Sequence, residues 1–288
     1  MSQLAYLAPT SPEEAAKALS AAGARPLSGG TDLLVQLRSG RIRPELIVDL
    51  KRIPAAIAIR EEAGGFCIGA ATPGIMLGED ARLARAWPGV VEAANLIGST
   101  QVQGRATLAG NLCNASPAAD SVPALIAARA TCIVVGPDGR REAPVEDIPT
   151  GPGQTSLKPG EFILEFRLPT RPPRASDAYL RLIPRTEMDI AVVGAGVSLV
   201  LDDSGRVTHA HVSLGAVAPT ALLVEEAGAA LVGSKLEETA LANLEAAARA
   251  ACRPISDKRG TAEYRTRIAG VLARRAALIA YERAGGMR

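Results

Sequence analysis

Residues 24–33 read ARPLSGGTDL, and this stretch decides how the first part of the chain folds. Its pattern predicts a short strand over Arg25–Ser28, the glycine pair Gly29-Gly30, and a helix over roughly Thr31–Ser39. Glycines let a phosphate approach the backbone closely, and the amides at a helix start, with the Thr31 hydroxyl, supply hydrogen-bond donors. An ordinary β–α turn capped by threonine has the same pattern, so both interpretations stay open from this stretch alone.

The flanking residues extend this stretch into a small β–α–β unit. The run Ser11–Glu14 combines a serine suited to the N-cap, a proline at the first helical position and a glutamate that can bond back to the cap backbone. The helix that it opens is predicted to end near Gly23, and Glu45–Leu50 is predicted as the next strand. Residues 1–55 are therefore expected to form one small subdomain.

A second run of small and polar residues begins about 75 residues further along, at Thr107-Leu108-Ala109-Gly110-Asn111. It continues through Ala115–Asp120 with little side-chain bulk. Such a loop can wrap a polar ligand and bond ribityl or ribose hydroxyls through Asn111 and Asp120. The alternative is a loop rich in caps and turns, in which Asn and Asp bond their own backbone.

The rest of the chain predicts a mixed α+β architecture with a break near residue 172. Pro169–Arg174 contains three prolines, which resist both helix and strand pairing. Residues 56–172 are expected to form a mixed α+β subdomain, and residues 173–288 a smaller C-terminal domain of antiparallel sheet plus helices. The predicted elements are helices over Ile75–Ala86, Gly89–Ile97, Asp120–Ala130 and Thr261–Arg283, a capping box at Ser234 and Glu237, and strands over Ala178–Ile183, Ile190–Leu201 and Val207–Ala216.

The composition argues against several classes of function. The 32 basic and 30 acidic residues leave a net charge of +2, and aromatic residues make up only 3%, so nucleic-acid binding is not expected. The first residues, MSQLAYLAPTSPEEAA, lack a secretory pattern. No apolar stretch approaches the roughly 20 residues that span a bilayer. The cytoplasm is therefore the expected location.

The sequence also contains no complete motif for a metal, dinucleotide, ATPase or hydrolase site. The four cysteines have no C-x-x-C spacing, so we expect reduced, unlinked thiols and no metal site. His209 and His211 alternate on a predicted strand, where they are expected to decorate one face of a sheet. Gly194–Leu199 resembles a dinucleotide motif but lacks its third small residue and continues as a strand. No G-x-x-x-x-G-K-[ST] loop and no G-x-S-x-G elbow occurs in the sequence.

Together, the two glycine-containing runs resemble the medium flavoprotein subunits of molybdenum hydroxylases, the family that includes carbon monoxide dehydrogenase and bacterial xanthine dehydrogenase. Gly104–Leu112 and Ala115–Asp120 look like that family's second FAD signature. The likeness extends to the turn after this signature, to the start of the C-terminal domain and to its last helix, at Leu157–Glu161, Arg185–Ala191 and Asp257–Arg265. It implies a two-part FAD-binding domain of the vanillyl-alcohol-oxidase/PCMH type over residues 1–172.

The resemblance also implies how FAD is bound. The loop at 26–33 is expected to hold the pyrophosphate, mainly through backbone amides and Thr31, and Asp120 to bond a sugar or ribityl hydroxyl. Arg181 stands where relatives often have lysine near the flavin, and its charge is expected to stabilise the anionic reduced form; a surface arginine paired with an acid is the alternative. The implied binding residues are Pro26, Leu27, Ser28, Gly29, Gly30, Thr31, Asp32, Leu33, Ile97, Thr107, Leu108, Ala109, Gly110, Asn111, Asp120, Leu157 and Arg181.

Two residues depart from the family pattern. Ala109 stands where a second glycine is common, so its methyl group slightly crowds the approach to the cofactor. Thr31-Asp32 replaces the His-Ser towards which carbon monoxide dehydrogenases tend, which argues against that particular substrate. No cysteine-bearing insertion is present, so the extra iron–sulfur cluster that some relatives carry in this subunit is not expected.

The function implied by the resemblance is electron relay. The chain would take electrons from two [2Fe–2S] clusters on a small partner subunit and pass them through FAD to NAD⁺, a quinone or another acceptor. Substrate would be hydroxylated at a molybdenum cofactor on a large partner subunit, in a dimer of heterotrimers, and this chain would supply no catalytic acid or base. The alternatives are a stand-alone FAD oxidase of the vanillyl-alcohol-oxidase type and a scaffold protein that has lost its flavin.

Overall fold

The computed structural model describes residues 4–185 and 188–287, which form fourteen β-strands and eleven α-helices. The strands are β1 (Ala5–Leu7), β2 (Ala24–Leu27), β3 (Leu46–Asp49), β4 (Ile59–Glu62), β5 (Gly65–Gly69), β6 (Thr131–Gly136), β7 (Gly139–Pro144), β8 (Pro149–Gly151), β9 (Gln154–Thr155), β10 (Phe162–Leu168), β11 (Ala175–Leu182), β12 (Val193–Leu201), β13 (Val207–Gly215) and β14 (Leu222–Leu223). The helices are α1 (Pro12–Leu19), α2 (Leu33–Arg38), α3 (Gly74–Glu79), α4 (Ala81–Ala86), α5 (Pro88–Asn95), α6 (Thr100–Gln103), α7 (Leu108–Cys113), α8 (Ser121–Ala127), α9 (Glu225–Ala229), α10 (Glu238–Ala251) and α11 (Ala262–Arg283).

The first sheet is small and parallel, with strand order β1-β3-β2. Helix α1 begins where predicted, because the Ser11 hydroxyl accepts a hydrogen bond from the Glu14 amide at 3.2 Å. The Glu14 carboxylate bonds back to the amide of Thr10, one residue before the predicted cap. Apolar residues of α1 and β3 pack against Phe162 and Leu164 of β10, which joins this sheet to the next one.

The second sheet is antiparallel, with order β4-β5-β10-β6-β7, and it carries the main core of the N-terminal part. Helices α3, α4, α5, α7 and α8 cover it with fully buried leucine and valine side chains. This packing places the start of α7 beside the loop that follows β2. A β8–β9 hairpin forms a separate two-stranded sheet.

The third sheet, β11-β12-β13-β14, is antiparallel and covered on both faces. Helices α9, α10 and α11 pack on one face through the second large core. Pro123 of α8 packs closely on the other face, where a Cβ at Gly196 would lie 2.6 Å from the Pro123 carbonyl oxygen and one at Gly215 would lie 2.7 Å from its ring. Gly196 of the Gly194–Leu199 motif therefore serves close helix packing, whereas a Cβ at Gly194 would lie 2.5 Å from the Tyr179 hydroxyl oxygen. The prediction of an α+β chain with a C-terminal antiparallel sheet plus helices is confirmed.

The junction between the N-terminal part and the third sheet is buried and polar. Arg171 stacks on Trp87, with 3.8 Å between its guanidinium carbon and the ring centroid, and donates to Asp177 Oδ1 at 2.9 Å. Asp177 Oδ2 accepts from the Val90 amide at 3.1 Å. Burial raises the pKa of Asp177, although Arg171 and backbone amides oppose that rise. The irregular segment at 169–174 is therefore anchored to both cores.

Several predicted helix boundaries were wrong. Helix α1 ends at Leu19, four residues before Gly23, and the helix predicted over 75–86 is two helices. Asp80 separates them, because its carboxylate accepts the amides of Arg82 and Leu83 at 3.0 and 3.1 Å and so starts a new helix. Helix α5 ends at Asn95, which leaves Ile97 outside it.

The glycine loop and the C-terminal part also differ from the sequence predictions. Helix α2 is six residues long and starts at Leu33, two residues later than predicted. The capping box at Ser234 and Glu237 was also wrong: the serine hydroxyl donates to the Leu231 carbonyl, and the glutamate accepts from the Lys235 amide. Met1, Ser2 and Gln3, and Thr186 and Glu187 within the motif at 185–191, lie outside the described residues.

In the ranges that the structure describes, no helix combines the length and apolarity needed to cross a lipid bilayer. The same ranges contain no group of three or more His, Cys, Asp or Glu side chains arranged to hold a metal ion. All four cysteines are free thiols, three of them buried. His209 and His211 lie on β13, where predicted.

Candidate functional site

A cleft of about 1100 Å³ lies between the loop after β2, the start of α7 and the β8–β10 region. The predicted residues that line it are Pro26, Ser28, Gly29, Gly30, Thr31, Asp32, Leu33, Thr107, Ala109, Gly110 and Leu157. Both glycine-containing runs therefore face one cavity, although they are far apart in sequence. Six further predicted residues are not part of its lining: Leu27, Ile97, Leu108, Asn111, Asp120 and Arg181.

The loop at 28–32 presents unpaired backbone donors to this cleft. Its amides from Gly29 to Asp32 form no hydrogen bond with any residue that the structure describes. Asp32 occupies the N-cap position of α2 but makes no side-chain cap bond, so the helix start is not closed by its own residues. An ordinary capped turn would satisfy such donors internally. The loop is therefore better suited to an external acceptor.

Gly29 and Gly30 are required by the geometry of this loop. A Cβ at Gly29 would lie 1.9 Å from the Arg105 carbonyl oxygen, a distance that no side chain can occupy. Gly30 has φ +80°, in the left-handed region that glycine adopts at little cost. The loop therefore lies directly on the segment that leads into α7.

A chain of hydroxyl hydrogen bonds joins the two glycine-containing runs. The Ser28 hydroxyl donates to the Ala70 carbonyl at 2.9 Å, so the proton between Ser28 Oγ and Thr107 Oγ1, 2.9 Å apart, belongs to Thr107. Thr107 Oγ1 also accepts the Gly110 amide at 3.0 Å, which caps α7. The sequence analysis interpreted residues 107–111 as a loop and did not predict this helix. A capping threonine followed by Leu108 and Ala109 is enough to start it.

Asn111 and Asp120 point into the protein and bond other side chains there. Asn111 Oδ1 accepts from the Ser121 amide at 3.1 Å and from its hydroxyl at 2.7 Å, at the start of α8. Asp120 accepts from Tyr179 at 3.1 Å and from Arg181 at 2.6 Å. Burial raises the pKa of Asp120 to about 6, and Arg181 and Tyr179 oppose that rise.

Sequence reasoning missed a group of cations at the cleft. Arg25, Arg41 and Lys158 line it, and their side chains form no ion pair with any described residue. Gly40, with φ +70°, and the bond from the Arg41 amide to the Gln36 carbonyl fix the turn that carries Arg41. A glycine just after a short helix was the available signal for this turn.

The sequence analysis also did not predict the third wall of the cleft. Residues of the segments 113–117 and 152–163 line the cleft, and the two segments are joined where the Gly153 amide donates to the Ala115 carbonyl at 3.0 Å. Ala115 has φ +49°, an uncommon conformation for alanine, so this contact holds a strained turn. Such a conformation cannot be read from an Ala-Ser-Pro sequence.

The geometry fits a dinucleotide that contains a diphosphate. The glycine pair leaves space for phosphate oxygens, and the unpaired amides of the loop and the three cations that lack ion-pair partners among the described residues offer donors and positive charge. The apolar residues Ala109 and Leu157 lie in the same cleft and suit a flat ring system.

Comparison with known families agrees with this geometry. Residues 2–171 match the model of the FAD binding domain in molybdopterin dehydrogenase. The chain belongs to the FAD-binding medium subunits of the molybdenum hydroxylases. Residues 178–280 of this medium subunit match the CO dehydrogenase flavoprotein C-terminal domain. The family resemblance drawn from the sequence and the assignment of FAD as cofactor are confirmed, and the medium subunit is the flavoprotein component of an oxidoreductase.

Curated relatives extend over nearly the whole medium subunit. It is 37% identical over 274 residues to the carbon monoxide dehydrogenase medium chain of Afipia carboxidovorans, covering 94% of each chain. It is 30% identical over 265 residues to a putative xanthine dehydrogenase FAD-binding subunit of Escherichia coli K12, covering 91% of this chain and 90% of that one.

Solved structures share the same fold. A chain of the Cu,Mo-CO dehydrogenase superposes with a TM-score of 0.92 at 36% identity, over 97% of the medium subunit and 98% of that chain. A chain of quinoline 2-oxidoreductase from Pseudomonas putida 86 gives a TM-score of 0.88 at 27% identity, over 98% of both chains. The expected two-part FAD-binding fold is thereby confirmed.

Proposed function

We propose that this medium subunit binds FAD in the cleft and relays electrons from the [2Fe–2S] clusters of a small partner subunit to NAD⁺ or a quinone-type acceptor. The observation that carries the proposal is the convergence of the unpaired amides at 29–32 and the Thr107–Gly110 segment on one cleft. The matched FAD-binding family supports the identity of the cofactor. In this proposal a large partner subunit holds the molybdenum cofactor, and the complex is a dimer of heterotrimers.

The residues of the cleft have distinct tasks in this proposal. The amides of Gly29 to Asp32 and the Thr31 hydroxyl hold the diphosphate, while Thr107 fixes the two walls together. Ala109 and Leu157 exclude water from the ring system. FAD, when bound, supplies the redox chemistry, because it can accept and release electrons one or two at a time. No side chain of the cleft is assigned a proton-transfer step.

Asp120, Asn111 and Arg181 support the cleft from behind. They lie outside its lining, and the Asn111 side chain and the Asp120 carboxylate already have protein partners. A direct bond from Asp120 to a ribityl hydroxyl stays a prediction that needs the Arg181 pair to open or to be shared. The remaining predicted contacts, Leu27, Ile97 and Leu108, are assigned to packing around the cofactor.

The tuning role of Arg181 also stays a hypothesis. Its Nη1 lies 2.6 Å from Asp120 Oδ2, and an ion pair projects a weaker field than a lone charge. Arg181→Ala is expected to lower the midpoint potential of bound FAD, because a positive charge favours the anionic reduced form. An unchanged potential in a variant that still binds FAD would contradict the role.

The relay is tested on the tagged chain purified from its native host. We expect flavin absorbance together with iron, molybdenum and two further subunits in the eluate. NAD⁺ or a quinone, added after reduction with the substrate of the complex, identifies the acceptor by the return of oxidised-flavin absorbance. A lone chain that carries flavin and oxidises small molecules would instead support a stand-alone oxidase, and a colourless chain without partners would support a scaffold.

We also propose the boundaries 1–172 for the FAD-binding domain, with subdomains at 1–55 and 56–172, and 173–288 for the C-terminal domain. The buried junction at Arg171 and Asp177 supports a boundary near residue 172. A cytoplasmic location is proposed because all four cysteines are free thiols, which reducing compartments favour. Fractionation of host cells tests the location.

A further inference from the structure

A charged pair lies behind the glycine loop, outside the cleft. Lys51 follows β3, and its Nζ donates to the Ser28 carbonyl at 3.1 Å and to Asp49 Oδ1 at 2.7 Å. Asp49 Oδ1 also accepts the Lys51 amide at 3.0 Å. Lys51 does not line the cleft, whereas Ser28 and Gly29 do.

The burial and hydrogen bonds of Asp49 allow it to hold this lysine in place. It is 7% exposed, and its second oxygen accepts the Tyr6 hydroxyl at 2.5 Å. Burial opposes ionisation, but the hydrogen bonds from Lys51 and Tyr6 outweigh it and lower the pKa of Asp49. The carboxylate therefore stays charged at neutral pH and fixes the ammonium against the loop.

The peptide between Ser28 and Gly29 connects this pair to the cleft. The bond is trans, so the Gly29 N–H points away from the carbonyl oxygen that Lys51 binds. That N–H forms no hydrogen bond with a described residue. A cation on the carbonyl side polarises the whole amide and makes its N–H a stronger donor. Lys51 thus orients and activates one donor without touching the ligand.

We propose that Lys51 is a positioning residue for the diphosphate of FAD, acting through the Ser28–Gly29 peptide and held there by Asp49. This inference rests on the proposed placement of FAD in the cleft. It gives residues at the end of β3 an indirect role in phosphate binding, in addition to the direct contacts made by the glycine loop. Tyr6, on β1, completes the support from the far edge of the same sheet.

The test uses the full chain stripped of flavin and titrated with FAD by fluorescence quenching. Lys51→Met removes the charge and the donors while keeping the length of the side chain, and we expect Kd for FAD to rise about tenfold. Lys51→Arg, which can still donate to the Ser28 carbonyl, is expected to stay within about threefold of wild type. Lys17→Met is the matched control in the same subdomain, and its Kd should not change.

Two further measurements separate positioning from general stability. The unfolding midpoint of the flavin-free chain is expected to fall in Lys51→Met, which leaves Asp49 without its cation, and to stay near wild type in Lys17→Met and Lys51→Arg, so Kd is compared at a temperature at which every variant is folded. The phosphorus-31 resonances of bound FAD should shift in Lys51→Met and return towards wild type in Lys51→Arg. If Lys51→Met does not fold, Asp49→Asn replaces it and is expected to raise Kd by a smaller factor with the same change in phosphorus resonances.

The outcomes distinguish the inference from the proposed function. If the wild-type chain does not bind FAD, the proposed function fails. If it does bind FAD, the inference is overturned by a Kd of Lys51→Met within twofold of wild type, by an equal rise in Lys17→Met, or by unchanged phosphorus resonances.

Discussion

Arginine side chains of the cleft and those of the junction between the two parts of the chain differ in exposure and in ion pairing. In the cleft, Arg25 and Arg41 are exposed and lack ion-pair partners among the described residues. In the junction, the Arg171 and Arg181 side chains are 11% and 5% exposed, and each is paired with an aspartate. Charges left free at a surface are available to a ligand, whereas buried paired charges fix the packing of two cores.

The comparison predicts that the largest effects on stability arise in the junction. Asp177→Asn leaves Arg171 buried beside a neutral partner, and loss of one member of a buried pair costs about 3–5 kcal/mol of unfolding free energy. Equilibrium denaturation of the full chain measures this loss. Asp203→Asn, in the exposed turn after β12, is the control and should change stability by less than about 0.5 kcal/mol. A loss below about 1 kcal/mol at Asp177 would remove the contrast between the two regions.

A pH dependence of stability sharpens the same contrast. Burial raises the pKa of Asp120 in the folded chain to about 6, above its ordinary value of 3.8. Between these values the unfolded chain has lost a proton that the folded chain keeps, so this group makes stability fall as the pH rises from about 4 to 6. The fall amounts to at most about 3 kcal/mol and levels off above pH 6.

Asp120→Asn isolates this contribution. The asparagine side chain resembles the protonated carboxyl group at every pH, so the slope between about pH 4 and 6 should become shallower in Asp120→Asn, and its stability relative to wild type should be greater above pH 6 than near pH 4. Denaturation of both proteins across this range measures the difference in slope. Parallel curves would mean that Arg181 keeps the carboxylate ionised and that burial does not dominate.

The contrast also explains how much could be predicted from the sequence. Ser11, Gly29, Gly30 and Thr261 carry local rules of capping and backbone conformation, and the elements that they start were located to within a few residues. The pairing of Arg181 with Asp120 joins residues 61 positions apart, and no local rule contains it. The sequence showed that Gly194–Leu199 is not a dinucleotide motif, but the packing role of Gly196 depends on Pro123 in a helix about 70 residues away.

A third prediction addresses the contact between the two glycine-containing runs. Gly29→Ala places a Cβ 1.9 Å from the Arg105 carbonyl oxygen, so the loop must move away from α7. We expect a loss of about 1–3 kcal/mol in unfolding free energy and at least a tenfold rise in Kd for FAD. Gly104→Ala is the control, because its Cβ would have 3.7 Å to the nearest carbonyl oxygen. Equal Kd values for the two variants would contradict the placement of the diphosphate on this loop.

The smallest expected effect lies at the exposed cations of the cleft. Arg41 is exposed and unpaired among the described residues, so Arg41→Ala should change unfolding free energy by less than about 0.5 kcal/mol. Removal of a solvent-screened charge near the diphosphate should raise Kd for FAD about threefold at low salt and by less at high salt. Arg43→Ala, two residues further on and outside the cleft, serves as the control. If Arg41→Ala instead destabilised the chain as strongly as Asp177→Asn, its side chain would belong to the folded framework and the division between free and paired charges would be lost.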